Sequence, residues 1–200
     1  MRNKSDKNKY IESNEKGISF ASKGEIDELL NSLPYKLTGA QMRVWKEIEK
    51  DMEKDRPMNR LVQGDVGSGK TVVATLAMLK AVNNGYQAAM MAPTAILAKQ
   101  HYLGISKMLA PFGIRCELFT SDLTKSQKNK LLQSLKAGEI DIAIGTHALL
   151  EENVEFNNCG LVITDEQHRF GVRQRGILTA KGEKADTLVM TATPIPRTLA

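Results

Sequence analysis

The eight residues from Gly64 to Thr71 read Gly-Asp-Val-Gly-Ser-Gly-Lys-Thr and match the pattern G-x-x-x-x-G-K-[ST] at every fixed position. A short apolar run at 61–63 precedes the motif, and an Ala-rich apolar stretch at 72–82 follows it. The motif therefore lies between a predicted buried strand and a predicted helix. In that setting, glycines let the backbone wrap around phosphate oxygens, and the helix start adds its positive dipole end. The sequence thus predicts a P-loop that binds a nucleotide.

The positions of this loop have different predicted roles. We expect Lys70 to reach the β- and γ-phosphates of the nucleotide and the Thr71 hydroxyl to bind Mg²⁺. The other nucleotide-binding positions are those whose backbone or hydroxyl groups face the phosphates: Gly64, Gly67, Ser68 and Gly69.

A pair of carboxylates follows a second predicted strand. The apolar run at 161–164 is followed directly by Asp165 and Glu166, an order typical of the Walker B motif. We expect Asp165 to hold Mg²⁺ through water and Glu166 to orient and partly deprotonate the attacking water. Acidic pairs are usually solvated surface residues, but the carboxyl end of a strand is where open α/β sheets bind their ligands. The position downstream of a P-loop therefore favours the functional interpretation.

The apolar pattern predicts a doubly wound, mainly parallel α/β sheet flanked by helices. The predicted strands are short, apolar and mostly separated by helical segments; they lie near 61–63, 87–92, 115–119, 141–145, 161–164 and 187–191. Nearly every one of them ends in a polar cluster. One edge of the sheet is therefore expected to carry most of the chemistry.

The sequence before the P-loop divides into a charged tail and two predicted helices. Residues 1 to about 23 are polar, and we expect a solvated tail or a frayed helix there. One helix is predicted over 24–32, ending before Pro34, and another from near Thr38, a typical N-cap residue. The basic amphipathic stretch at 125–136 predicts a helix between two strands.

Composition narrows the class of protein. A length of 200 residues suffices for one α/β domain, and a net charge of +5 permits a polyanionic partner without proving one. Cys116 and Cys159 fall in or beside predicted strands, so we expect buried thiols rather than a disulfide or metal pair, which suggests a reducing compartment. No apolar run reaches the ~18 residues that span a membrane, and a signal peptide is not expected. We therefore expect a cytoplasmic protein with no membrane partner.

Six segments together resemble the first RecA-like lobe of a superfamily-2 helicase, and most closely the RecG-type DNA helicases. These segments are 37–41, 64–71, 92–101, 145–149, 165–172 and 191–198. The P-loop alone fits any NTPase, whereas the last two segments are far more selective. The transcription-repair coupling factor is the nearest alternative family, but it usually has Glu-Gln-Arg where this chain has Gln167-His168-Arg169. Arg173 is a departure, because RecG proteins often carry Glu there.

The resemblance implies ATP and Mg²⁺ as cofactors and ATP hydrolysis as the reaction. Lys70, Asp165 and Glu166 would be the catalytic residues, with Thr71 and Asp165 at the metal. Gln41 would read the adenine edge, since an amide both donates and accepts hydrogen bonds. The alternative for Gln41 is an exposed helix residue with no ligand.

The resemblance also implies DNA as a partner, branched or in single or double strands, bound through its phosphates. The implied contacts combine hydroxyls, small residues and a helix start, which suit phosphate oxygens but carry no sequence information; they are Pro93, Thr94, Thr120, Ser121, Gly145 and Thr146. The last four, taken singly, are equally ordinary loop residues.

Three further residues are implied to couple the nucleotide to the DNA. His168 would bridge the phosphate site to Thr191 and Thr193, although a lone histidine is more often structural. Two roles stay open at this stage. Arg197 could cap a helix, meet a phosphate or contact a second lobe, and Tyr35 could stack on the base or serve as a core or linker residue.

We expect two parts in this chain: a polar segment at 1–33 and a RecA-like helicase lobe at 34–200. Superfamily-2 helicases also need a second RecA-like lobe, and RecG proteins carry a wedge domain; neither is expected within this length. The resemblance thus predicts the ATP-binding motor lobe of a helicase that remodels forks and Holliday junctions in recombination and repair. The alternatives are a lobe of a double-strand translocase of the coupling-factor type, or a nucleotide- and DNA-binding module with negligible turnover.

Overall fold

Six parallel strands form the centre of the structure. The computed structural model describes residues 17–21, 24–63, 69–166, 181 and 184–191. Within them the strands are β1 Asn59–Gln63, β2 Gln87–Met91, β3 Cys116–Phe119, β4 Ile142–Gly145, β5 Cys159–Glu166 and β6 Asp186–Thr191. They form one sheet in the order β1-β6-β5-β2-β4-β3, and every pairing is parallel. All six predicted strands are therefore present, with ends shifted by at most two residues.

Five α-helices connect or precede the strands in the described residues: α1 Glu25–Ser32, α2 Gly39–Met52, α3 Gly69–Asn83, α4 Ala95–Leu109 and α5 Lys125–Lys136. Short 3₁₀ helices at Ala110–Phe112 and His147–Leu150 follow α4 and β4. The helix starts have a common local cause. Thr38, Thr94 and Thr124 are N-caps whose hydroxyls accept from backbone N–H groups of the first turn.

The core lies on both faces of the sheet, as a doubly wound fold requires. Every residue of β2 is buried, and its side chains alternate between two hydrophobic clusters: Ala88 and Met90 belong to one, Ala89 and Met91 to the other. Successive strand residues point to opposite faces, so each cluster covers one side. A sheet buried on both faces needs continuous apolar strands, which is the pattern that predicted the fold.

The segment before α1 differs from the solvated tail that its composition predicts. Phe20 is fully buried in the larger cluster, and its ring meets that of Tyr86 edge to face, with centroids 5.3 Å apart. Its backbone N–H donates to the carbonyl of Met52 over 2.8 Å. One aromatic residue therefore anchors residues 17–21 to the lobe, although the surrounding charged residues dominate the composition. The boundary at residue 33 stays a prediction.

Both cysteines are free and buried, as expected. Burial raises the pKa of Cys116 to about 11 and that of Cys159 to about 12. These thiols are therefore protonated and unreactive at neutral pH. Among the helices that the structure describes, none is long and apolar enough to cross a membrane.

The carboxyl edge of the sheet divides into two halves of three adjacent strands each. Strands β1, β6 and β5 end at the P-loop, Thr191 and Asp165–Glu166, and we call their ends the P-loop half. Strands β2, β4 and β3 end at Pro93–Thr94, Gly145–Thr146 and Thr120–Ser121, and we call their ends the Thr94 half. The boundary between the halves runs between β5 and β2. Residues that are far apart in sequence thus meet along one edge.

Candidate functional site: the carboxyl edge of the sheet

The first turn of α3 carries the end of the P-loop. Gly69, Lys70 and Thr71 are the first residues of this helix, and all three are half-buried. Residues 72–81 behind them are buried without exception; eight of the ten are apolar, and Lys80 is paired with Glu53. The helix start is thereby fixed against the core, and its dipole and free N–H groups face the edge of the sheet. The loop positions Gly64, Gly67 and Ser68 lie outside the described residues.

Gln41 lies against this helix start. It is the third residue of α2, and its Oε1 accepts from the Thr38 backbone N–H over 2.9 Å, while its own N–H donates to the Thr38 hydroxyl over 3.2 Å. This capping box directs the amide nitrogen towards Gly69, where a Cβ would overlap it. The glycine before Lys70 therefore makes room for Gln41. The structure places Gln41 beside the P-loop helix, and its role with adenine stays a prediction.

Tyr35 lies a few residues before Gln41 and has 44% of its surface exposed. This exposure rules out a fully buried core position and leaves the ring free at the surface.

Asp165 is the seventh residue of β5 and lies opposite Met190 of β6. Its side chain is 17% exposed, and its Oδ2 lies 2.7 Å from Nε2 of His101. Glu166 is the last residue of the strand and pairs with Thr191, which in turn pairs with Gln63 just before the P-loop. The end of β6 thus lies between the P-loop strand and the Asp165 strand. The Glu166 side chain is outside the described part of the chain.

His101 was not predicted as a site residue. The only role predicted for its helix was contact with DNA. The signal was present in the sequence. Ala98, Ile105 and Leu109 are the fully buried residues of α4, and His101 falls on the same inward stripe at helical spacing. A polar side chain on an inward stripe must find a partner. Helical spacing could not show which of the strand-end carboxylates that partner is.

The start of α4 follows the end of β2. Thr94 is exposed, and its hydroxyl accepts from the Leu97 backbone N–H over 3.2 Å; Pro93 beside it is half-buried. The other N–H groups of this first turn face the edge. Ile96 is 73% exposed beside them. The helix start therefore presents donors and an open surface, as a phosphate contact requires.

The other two strand ends of the Thr94 half show different environments. Thr120 is buried and donates from its hydroxyl to Asp122, whereas Ser121 is exposed. Gly145 is buried, and a Cβ there would overlap the backbone carbonyl of Phe119. Thr146 is half-buried and starts a 3₁₀ helix without a side-chain cap. Ser121 and Thr146 are thus available to a ligand, while Gly145 has a packing reason to be glycine.

Of the four remaining predicted residues, Thr191 alone belongs to the part of the chain that the structure describes. His168, Thr193 and Arg197 lie outside the described residues. Thr191 lies at the end of β6, between Gln63 and Glu166. Its position at the P-loop half agrees with the predicted neighbourhood, and its coupling role stays a prediction.

The donor set at the P-loop half fits Mg²⁺. Its residues offer the Asp165 carboxylate and the Thr71 hydroxyl, and oxygen donors are what this hard cation prefers. In the described part of the chain, no group of three or more His, Cys, Asp or Glu side chains could hold a metal by itself. Mg²⁺ is usually held by one or two carboxylates together with waters and substrate phosphates. One carboxylate and one hydroxyl are therefore a donor set that suits a magnesium ion held partly by phosphate oxygens.

The chain belongs to the DEAD/DEAH box helicase family, whose model matches residues 38–200. It is 54% identical over 185 residues to the ATP-dependent DNA helicase RecG of Thermotoga maritima, covering 92% of this chain and 24% of that protein. It is also 52% identical over 179 residues to RecG of Bacillus subtilis, covering 90% of this chain and 26% of that protein. The chain thus spans about a quarter of the length of these relatives. They confirm the predicted resemblance to RecG and do not favour the coupling-factor alternative.

Solved structures agree with this assignment. A structure of RecG bound to a three-way DNA junction matches with a TM-score of 0.83 and 49% identity, covering 97% of this chain and 26% of that one. The UvsW helicase from bacteriophage T4 matches with a TM-score of 0.63 at 16% identity, over 90% of this chain and 62% of that one, which shows a shared fold. The predicted RecA-like α/β fold is therefore confirmed.

Proposed function

We propose that this chain is the ATP-binding motor lobe of a RecG-type helicase, which remodels branched DNA by hydrolysing ATP. The observation that carries the proposal is the division of the carboxyl edge. The predicted nucleotide-binding and coupling residues lie at the ends of three adjacent strands, and the predicted DNA-binding residues lie at the ends of the other three. A motor has to hold nucleotide and DNA on one rigid structure, and both proposed sites lie on the same six-stranded sheet.

At the P-loop half, Lys70 would contact the β- and γ-phosphates, and Thr71 and Asp165 would hold Mg²⁺. The bound ion would supply positive charge where negative charge develops during phosphoryl transfer. Glu166, next to Asp165, orients the attacking water and accepts its proton. Gln41 recognises adenine from its position beside Gly69. The remaining nucleotide contacts come from Gly64, Gly67, Ser68 and Gly69.

At the Thr94 half, the chain binds the sugar–phosphate backbone of DNA. The start of α4 offers N–H groups and the Thr94 hydroxyl, with Ser121 and Thr146 on neighbouring strand ends. These groups recognise phosphate and not bases, so binding is independent of sequence. His168, Thr191 and Thr193 then transmit the nucleotide state to this half.

We further propose that the lobe works with a second RecA-like lobe and a wedge domain, in the cytoplasm. The relatives are about four times as long as the matched region, which leaves room for such domains in them. A second lobe closes the ATP site and supplies an arginine finger, worth about 10³-fold or more in rate.

Nucleotide binding to the chain itself tests the P-loop half. Calorimetry with a non-hydrolysable ATP analogue and Mg²⁺ should give saturable binding, and Lys70→Ala should weaken it about 10- to 100-fold, the loss of hydrogen bonds to a charged group. Lys130→Ala, at an exposed lysine of α5, is the matched control. Equal affinity in wild type and Lys70→Ala contradicts the assignment.

DNA binding and turnover test the rest of the proposal. A labelled three-way junction titrated at two salt concentrations should bind weakly and become weaker as salt rises. The chain alone should hydrolyse ATP very slowly and displace no strand from a synthetic fork. Rapid unwinding by the chain alone, or tight and salt-insensitive binding to one DNA sequence, would show that its role has been misassigned.

A further inference from the structure

A side-chain contact crosses the boundary between the two halves of the carboxyl edge. His101 belongs to α4, whose N-cap is Thr94, whereas Asp165 lies one residue before the end of β5 on the P-loop half. Their side chains meet with Nε2 and Oδ2 2.7 Å apart, although they lie 64 residues apart in sequence. An ionised carboxylate can only accept, so the imidazole Nε2–H donates.

We propose that His101 is a positioning residue for the magnesium ligand Asp165. The proposal rests on the proposed function, since it assumes that Asp165 serves Mg²⁺ there. Its hydrogen bond occupies one oxygen of the carboxylate and fixes the side-chain rotamer, which leaves the other oxygen to serve the metal. Ligating carboxylates are commonly held in this way, and loss of such a partner typically weakens metal binding about 10- to 100-fold.

The surroundings of His101 make it a rigid support. Its side chain is 12% exposed, so the bond to Asp165 is largely shielded from water. The ring is carried on a helix whose Ala98, Ile105 and Leu109 are fully buried. These three residues already hold α4 on the sheet, so the helix does not need the histidine to stay in place. The contact is therefore free to serve Asp165.

The location of the contact has a consequence for the motor. One helix carries both the N-cap Thr94, a predicted DNA-binding residue, and the His101 ring that contacts Asp165. His101 thus links the Thr94 half to the metal without requiring any residue outside α4 and β5.

The test measures how much Mg²⁺ the chain needs in order to bind nucleotide. A fluorescent ATP analogue at fixed concentration is titrated with MgCl₂, using wild type, His101→Ala, His101→Gln and Gln100→Ala. We expect His101→Ala to raise the half-saturating Mg²⁺ concentration about tenfold, with the signal at saturating Mg²⁺ restored. His101→Gln should stay near wild type, because its amide N–H reaches about as far as Nε2–H. Gln100→Ala, an exposed neighbour on α4, should equal wild type.

A readout without metal complements this titration. Long-range ¹H–¹⁵N spectra of the metal-free chain should show a proton on Nε2 of His101, and an unprotonated Nε2 would overturn the proposal. Circular dichroism checks that each variant is folded. If His101→Ala does not fold, His101→Asn replaces it, since its shorter amide cannot reach Asp165.

The outcomes separate the two proposals. If wild type binds nucleotide only with Mg²⁺ and His101→Ala needs the same Mg²⁺ concentration, the role of His101 is overturned. The proposed function still stands in that case. Wild type that binds no nucleotide overturns both.

Discussion

Side-chain hydrogen bonds at the amino and carboxyl edges of this sheet differ in how far apart their partners lie in the sequence. At the amino edge, Gln87 donates to the carbonyls of Leu135 and Ile140 and accepts from the N–H of Asn158, partners 48 to 71 residues away. At the carboxyl edge, the Thr94 hydroxyl accepts from an N–H only three residues on. The contact of His101 with Asp165 at this edge is long-range, with its partners 64 residues apart in the sequence.

This difference suggests that side chains at the amino edge stabilise the fold, whereas those at the carboxyl edge bind ligands. Long-range bonds at the amino edge tie α5 and the start of β5 to the middle of the sheet, so their loss should destabilise the lobe. Local bonds at the carboxyl edge shape single turns, so their residues are free to meet ligands. Substitutions at the carboxyl edge should therefore change activity, and those at the amino edge should change stability.

The largest effect is expected for Glu166→Gln at the carboxyl edge. An amide cannot accept the proton of the attacking water, so turnover should fall about 10²- to 10⁴-fold. ATP affinity and melting temperature should stay close to wild type, because the shape and the neighbouring Asp165 are kept. Steady-state ATPase of the two-lobed protein with branched DNA measures this. Normal turnover would show that another group activates the water.

At the amino edge, Gln87→Leu should destabilise the lobe by about 2–4 kcal/mol, since it removes the side-chain partner of the Ile140 carbonyl and of the Asn158 N–H. Urea unfolding measures the change, and the exposed Gln133→Leu is the control. Nucleotide affinity of the folded variant should be unchanged. A Gln87→Leu variant as stable as wild type would show that the long-range hydrogen bonds of the amino edge do not stabilise the fold.

Gly145→Ala tests whether substitutions at the carboxyl edge leave stability unchanged, because Gly145 lies at that edge but is closely packed. Its Cβ would overlap the Phe119 carbonyl and press on Leu149, so we expect a loss of about 1–3 kcal/mol from overpacking. The control is Gly104→Ala in α4, where a Cβ meets no atom within 4 Å; it should be neutral or stabilising by about 0.5–1 kcal/mol. If the two variants are equally stable, packing does not require glycine at position 145, and the predicted contact with DNA is the role that remains.

The smallest effect concerns Asp186 at the amino edge. It is fully buried, and its Oδ1 accepts from the Met58 N–H over 2.7 Å. Burial raises its pKa from an ordinary 3.8 to about 7, against the lowering effect of that hydrogen bond. The folded state therefore holds the proton more tightly than the unfolded state, and stability falls as pH rises towards and through 7.

Unfolding of wild type and Asp186→Asn at pH 6 and pH 8 tests this sign. Wild type should lose about 1 kcal/mol more than the variant between these values, because one pKa unit corresponds to about 1.4 kcal/mol. The amide keeps the acceptor for Met58 and has no proton to lose. Parallel pH profiles would mean that Asp186 does not titrate in this range.

Periodicity and motif spacing predicted the architecture well. Apolar runs identified all six strands, because the inner strands of a parallel sheet are buried on both faces. The prediction that residues 61–63 form a buried strand was wrong in one respect: β1 lies at the edge of the sheet, and Val62 is its one buried residue. The placement of Asp165 at a strand end followed from the same pattern. Phe20 was missed because a single buried aromatic does not change the composition of a charged segment. His101 was missed because its partner depends on the strand order, which no local pattern contains. The packing role of Gly145 likewise depends on how closely β3 and β4 approach.

The strand order also decides when the nucleotide pocket can exist during synthesis. The P-loop follows β1, an edge strand whose neighbour in the sheet is β6, and the bond from Met58 to Asp186 spans 128 residues. At about 5–20 residues per second, the ribosome needs on the order of ten seconds between these two points. Among the described strands, β6 is the one that pairs with the P-loop strand, so this pairing can form only after residues 186–191 have been synthesised.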